Sequence, residues 1–224
     1  MDYVVLYLLI LIIPAITSIN IDTTYKKYKI ISNNKNLTGF DVARAILDAN
    51  GLKDMYIVET PGNLTDHYDP SKKVVRLSTD IYHGNSIASL AVAAHECGHA
   101  IQDKENYAFM RIRASLVPVV NFVTYGAYIM FAISLLANIA NLLIVAVVSV
   151  LAGLLFQLVT LPVEFDASSR ALKQIEKLEL VSKSELEGSK KVLKAAALTY
   201  VASVLSSLLN LLRIIMLFSD DRRR

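Results

Sequence analysis

The chain has 224 residues, of which 54% are hydrophobic and 19% charged. That balance excludes a disordered chain and exceeds the roughly 45–50% apolar share of an average soluble domain. The formal charge of +3 gives no case for a nucleic-acid binder, and the single cysteine, Cys97, excludes an intramolecular disulfide framework.

Residues 3–19 are apolar and uncharged, with Pro14 inside the run. Only Met1 and Asp2 precede them, so the basic start of a signal peptide is missing, and no small-x-small cleavage site follows. They read as a retained anchor helix, residues 1–19. Residues 20–113 are the polar part of the chain and read as a small α+β head. Thr38 can cap a helix that runs to Asn50 and stops at Gly51. Strands are expected at 55–59, 64–68 and 73–77, the last two flanking the turn Asp69-Pro70-Ser71. Asn85 or Ser86 then caps a second helix ending near Lys104. An extended substrate is expected to add as a strand along 73–77.

No charged side chain occurs between Ala114 and Val163. As helix, those 50 residues would extend about 75 Å, and a bilayer core needs roughly 30 Å. The segment 114–163 therefore reads as a transmembrane hairpin, with spans at 116–136 and 142–161 and a turn at 137–141. Residues 164–194 read as a helical segment beside the head, and Ser184-Glu185-Leu186-Glu187 as a capping box. Residues 195–212 form a third uncharged run; with Arg213 near its end and the tail to 224 they make the C-terminal, fourth span. The expected fold is thus a mainly α integral membrane protein with about four transmembrane helices and a small α+β head.

Orientation follows from Lys and Arg near the span ends. Lys26, Lys27, Lys29 and Lys35 follow span one; Lys104, Arg111 and Arg113 precede span two. Arg170, Lys173, Lys177, Lys183, Lys190, Lys191 and Lys194 lie between spans three and four. All fall on one side, which is read as cytoplasmic, so the head and its site are expected there in a multi-pass cell-membrane protein. The tail Arg222-Arg223-Arg224 then lies outside, against the rule.

The chemistry sits on the second head helix, in His95-Glu96-Cys97-Gly98-His99. Positions i and i+4 share one helix face, so two imidazoles can reach one ion. Zinc suits imidazole and carboxylate ligands. Glu96, beside His95 on the helical wheel, can take the proton of a water that zinc has acidified as the water attacks a carbonyl. Cys97 points away from this face. Gly98 costs about 1 kcal/mol relative to Ala in mid-helix, which implies a close neighbour, expected to be the helix that bears the remaining ligand.

A catalytic zinc takes three protein ligands and one open position. No third histidine follows His99 at the spacing of the longer motif, so a distant carboxylate must serve. Glu164 is the first charge after the uncharged hairpin and is the expected ligand. Asp166 could hydrogen-bond a ligand imidazole, or could itself be the ligand.

The stretches Asp66-His67-Tyr68-Asp69-Pro70, Tyr82-His83-Gly84, 93–102 and 161–171 carry a resemblance over nearly the whole chain. They resemble the YugP-like family of bacterial membrane neutral zinc metallopeptidases. The resemblance implies a zinc-dependent peptidase with several spans. More distantly, Glu164-Phe165-Asp166-Ala167 is similar to the glutamate-ligand segment of the heat-shock protease and prenyl-protein protease group. Those proteins have an Asp four residues after the Glu, where this chain has Ser168.

His67 and His83 could steady an oxyanion, against the commoner turn or capping role. Arg170 could hold a substrate carboxylate, against the default of a solvated helix charge, and Tyr82 has the same standing. The leading expectation is a zinc metalloendopeptidase: His95, His99 and Glu164 hold one zinc ion, Glu96 is the base, and the substrate is a protein or peptide close to the lipid bilayer. The alternative of another class is a non-catalytic membrane scaffold that keeps zinc for structure. An intramembrane protease is disfavoured, because the motif helix is too polar to cross the bilayer.

Overall fold

The computed structural model describes residues 3–137 and 143–221. In chain order the elements are α1 (Tyr3–Lys29), α2 (Gly39–Ala49), β1 (Tyr56–Thr60), β2 (His67–Asp69), β3 (Val74–Ser78), α3 (Thr79–Tyr82), α4 (Ile87–Lys104), α5 (Ala108–Ala137), α6 (Leu143–Lys177) and α7 (Lys183–Asp221). The helices α1, α5, α6 and α7 are each long and apolar enough to cross a membrane. The fold is mainly α, with four such helices and a small three-stranded sheet. The expected turn at 137–141 and the tail at 222–224 fall largely or wholly outside the described residues.

The long helices do not stop where their uncharged runs stop. α1 continues from residue 19 to Lys29 because nothing between carries Gly or Pro, and Lys26, Lys27 and Lys29 suit its C-terminal dipole. α6 continues past Glu164 to Lys177, and α7 begins at Lys183, before its apolar run. The boundaries at 19, 163 and 194 therefore fall inside continuous helices. The spans extend into the head as rigid rods, and α1, α5, α6 and α7 all touch α4.

The head follows its local signals. Thr38 and Asp41 form a reciprocal capping box on α2. Ser86, rather than Asn85, caps α4, its Oγ accepting from the Ser89 N–H at 3.0 Å. The strands start one to three residues later than expected, since Leu64 and Lys73 adopt left-handed φ of 55° and 51° and belong to turns. Asp69 closes the β2–β3 turn by accepting from the N–H groups of Ser71 and Lys72.

The sheet order is β1-β3-β2, with β1 parallel and β2 antiparallel to β3. This corrects the expectation that substrate adds along 73–77. β3 is the central strand, with both edges already paired, and its Val75 and Leu77 are fully buried. The outer edge of β2 carries no strand.

Candidate metal centre

α4 is buried along almost its whole length, between α2 on one side and α6 and α7 on the other. Small residues make that possible: Ala91, Ala93, Ala94 and Ala100 are all fully buried. At the crossing with α6 even a methyl group would be too large. A Cβ on Gly98 would lie 2.4 Å from the Ala167 carbonyl oxygen. The glycine therefore lets the two backbones touch, and that contact sets Glu164, three residues before Ala167, against the histidine face of α4.

His95, His99 and Glu164 offer ligand atoms within 4.8 Å of one another. Glu164 Oε2 lies 3.3 Å from His95 Nε2 and 3.6 Å from His99 Nε2. A tetrahedron with arms of about 2.0–2.1 Å has edges of about 3.3 Å, so the two spacings from Glu164 to the imidazoles stand near the one that zinc imposes. Glu164 is 3% exposed, and a buried carboxylate between two imidazoles suits a cation held among them. The residues present fit a metal ion of the zinc type. Without an ion, burial lowers the pKa of His99, but Glu164, Glu96 and Gln102 together outweigh it and the pKa is raised.

Both imidazoles are steadied from behind. His95 Nδ1 lies 3.2 Å from Ser168 Oγ. His99 Nδ1 lies 3.0 Å from Gln102 Oε1, and the Gln102 amide in turn reaches Asp166. Asp166 is thus in contact with the histidine system through Gln102, and it is absent from the group of ligand atoms. Ser168 takes the place of the Asp found four residues after the Glu in the more distant proteins. Glu96 is buried but lines two cavities, and no hydrogen bond or ion pair to its carboxylate is formed by the described residues.

Those cavities meet at the centre. One, of about 620 Å³, lies between α1, α4, α6 and α7; the other, of about 500 Å³, lies between β2, α4 and α5. Both include Asp66, His95, Glu96, Glu164 and Tyr200. Val92 lines the first and His99 the second, seven residues apart on α4 and so about 10 Å along its axis. Together they form a groove that runs past the candidate ligands.

The remaining expected residues separate. His67 lines the second cavity, with its Nδ1 2.7 Å from the Thr65 carbonyl oxygen. His83 pairs with Glu59 at 3.2 Å, Tyr82 packs on the Phe40 ring, and neither lines the groove. Arg170 is not a free cation for substrate: it binds Asp166 and Glu105, each at 2.5 Å, and covers the Tyr107 ring. Cys97 packs its thiol on the Ala43 carbonyl, away from the histidine face, and burial pushes its pKa up.

Four residues at the centre escaped sequence reasoning: Gln102, Ser168, Arg113 and Tyr200. Arg113 lies 3.3 Å from Glu164 Oε1. A signal for it was present: Arg113 and Glu164 immediately bracket the 50 uncharged residues, and the two ends of a hairpin meet. Tyr200 and Gln102 carry no comparable mark.

The chain matches, over residues 3–219, the family described as "Putative neutral zinc metallopeptidase". It is 44% identical over 202 residues to the "Putative membrane protease YugP" of Bacillus subtilis (strain 168), covering 90% of each chain. No solved structure matches it. With His95, His99 and Glu164 converging as a group that could hold a metal ion, four helices long and apolar enough to cross a membrane and a match along nearly its whole length, the chain belongs to this neutral zinc metallopeptidase family.

Proposed function

We propose that the protein is a multi-pass membrane zinc metalloendopeptidase that hydrolyses peptide bonds near the cytoplasmic membrane face. His95, His99 and Glu164 hold one zinc ion and Glu96 is the general base. The observation that carries this reading is the convergence of three ligand atoms beside Glu96, whose carboxylate forms no hydrogen bond or ion pair among the described residues. Zinc would supply Lewis acidity, polarising the scissile carbonyl and acidifying a water. Glu96 takes the proton of the attacking water and passes it to the leaving amine. Arg113 and His67 line the cavity on this side of the centre, and each could meet negative charge growing on the carbonyl oxygen.

The groove supports a polypeptide substrate in extended form. Its larger cavity is walled by Ile21 of α1 and by Leu193, Ala196 and Ala197 of α7, residues of two membrane-crossing helices. A substrate that is tethered to the bilayer, or that exposes a loop beside it, reaches this wall. The strand available to pair with it is β2, whose His67 and Tyr68 line the second cavity and whose outer edge is open. The cytoplasmic assignment rests on the Lys and Arg residues that cluster at the head ends of all four long helices.

The test is reconstitution in vesicles with an unfolded protein or a quenched peptide as substrate. Chelation should stop cleavage and added zinc should restore it. A protein that binds one zinc ion and cleaves no substrate would instead be the scaffold that uses zinc for structure.

A further inference from the structure

Gln102 is fully buried on α4, three residues after His99. Its side-chain amide makes three contacts. Nε2 lies 2.8 Å from the Val163 carbonyl oxygen and 2.8 Å from Asp166 Oδ2; Oε1 lies 3.0 Å from His99 Nδ1. An amide nitrogen only donates and an amide oxygen only accepts. Val163 and Asp166 both present acceptors, so the nitrogen must face them; the flipped amide would set oxygen against two oxygens. The amide oxygen is left for His99, and it can accept only from Nδ1–H. The network therefore fixes which ring nitrogen of His99 carries the proton. In its neutral form His99 carries its proton on Nδ1 and leaves Nε2, the atom 3.6 Å from Glu164 Oε2, free to bind an ion.

The orientation of the amide is itself held. Asp166 accepts from Arg170 Nε, and Arg170 also binds Glu105, so the carboxylate stays in place as an acceptor. The bond to Val163 ties α4 to α6 one residue before Glu164. His95 has no equivalent. Its Nδ1 meets the Ser168 hydroxyl, which donates or accepts equally well and selects no tautomer.

We propose that Gln102 is a positioning residue. It sets the tautomer of His99 and fixes α4 against α6 beside Glu164, so that one imidazole is preset as a metal ligand before any ion arrives, while the other adjusts. Asp166 acts through Gln102, as the acceptor that orients its amide. The inference rests on the metal reading of the centre only in what it implies for affinity; the tautomer is a property of the metal-free chain.

The test uses full-length, metal-free protein labelled with ¹⁵N-histidine, at a pH where the imidazoles are neutral, with His99 assigned from a His99→Gln variant. Ring-nitrogen shifts should show wild-type His99 protonated at Nδ1. In Gln102→Met, which keeps length and burial but has no amide, His99 should become a mixture of tautomers while His95 stays unchanged. Zinc affinity, measured by chelator competition, should fall roughly 10–100-fold, the usual effect of losing such a partner. Should Gln102→Met not fold, Asp166→Asn removes the acceptor charge that selects the amide orientation and should shift His99 in the same sense by less. A wild-type His99 protonated mainly at Nε2 overturns the proposal with no variant needed. So does a folded Gln102→Met protein with unchanged tautomer and zinc affinity. A wild-type chain with the Nδ1 proton that binds no zinc keeps the tautomer assignment and rejects the metal reading instead.

Discussion

Gly98 and Gly153 are both mid-helix glycines, and their surroundings are opposite. A Cβ on Gly98 would press on the Ala167 backbone at 2.4 Å, whereas one on Gly153, or on Gly126 of α5, would meet no atom within 4 Å among the described residues. The α4–α6 crossing is packed to backbone contact around buried polar groups. The lipid-facing surfaces of α5 and α6 are open, with large apolar residues such as Phe122 and Ile144 mostly exposed. The difference shows where the fold is specified by shape and where by hydropathy alone. In the membrane any apolar residue of reasonable size serves, because lipid fills the gaps. At the crossing one missing methyl group decides whether α6 can deliver a carboxylate to α4.

The sharpest way to break that contrast is Gly98→Ala. The clash is with backbone and cannot be relieved by a rotamer change, so stability should fall by about 1–3 kcal/mol, and bound zinc should fall with it. Melting curves and metal analysis of the purified protein check both. If Gly98→Ala keeps its melting temperature and its zinc, the close approach is not what holds the centre.

The next effect separates the two acidic residues of α6. Glu164→Gln should lose zinc binding at least about 100-fold, since a ligand is removed, whereas Asp166→Asn should lose only about tenfold through the histidine behind it. Chelator competition on the two variants reads the ratio. Reversal of the order would make Asp166 the ligand.

A third substitution tests the cavity rather than the ion. Ala196→Phe fills the larger cavity at its α7 wall without touching the candidate ligands. It should leave the zinc content unchanged and raise KM for a membrane-tethered substrate about tenfold, or roughly 1.4 kcal/mol. Unchanged kinetics would remove that cavity from substrate binding.

Much of this was legible in the chain and some was not. The 50 uncharged residues and two further runs announced the spans, because a bilayer selects composition over a fixed length. The i, i+4 histidines and Gly98 announced the metal face and its close neighbour, because both are local consequences of helix geometry. Strand order was not legible. The pattern of residues 73–77 reads as a strand, but nothing local says that β3 is central and already paired on both edges. Gln102 and Tyr200 were equally hidden, since their meaning comes from partners 64 residues away on α6, in the contact of Gln102 with Asp166, or from a wall shared with α7. Arg170 was equally unreadable: its two carboxylate partners lie one turn away on α6 and at the C-cap of α4.

Smaller effects probe the head. Asp103 on α4 accepts from Tyr68 at 2.7 Å and pairs with Lys73, tying the β2–β3 hairpin to the helix. Burial would raise its pKa, but Lys73 and Tyr68 outweigh that and hold it low. A carboxyl with a depressed folded-state pKa stabilises above its ordinary value near 3.9 and loses that contribution as pH falls below it. Asp103→Asn should therefore cost about 1 kcal/mol at neutral pH, and that cost should fade as pH falls through the lowered folded-state pKa of Asp103, as denaturation at several pH values will show. A cost that persists in acid would mean the carboxylate charge is irrelevant. Smallest is Gly153→Ala, which should be neutral or stabilise by up to about 1 kcal/mol; a loss comparable to that of Gly98→Ala would erase the contrast between the two glycines.

The claim of a hydrolytic centre is tested most directly by Glu96→Gln in the full-length protein in vesicles, with zinc content and peptide cleavage measured on the same preparation. The amide keeps the shape of the carboxylate and cannot accept the proton of the attacking water. The account predicts one zinc ion per chain, as in the wild type, and cleavage lower by about 10²–10⁴-fold. Cleavage within tenfold of wild type, with zinc retained, would contradict it.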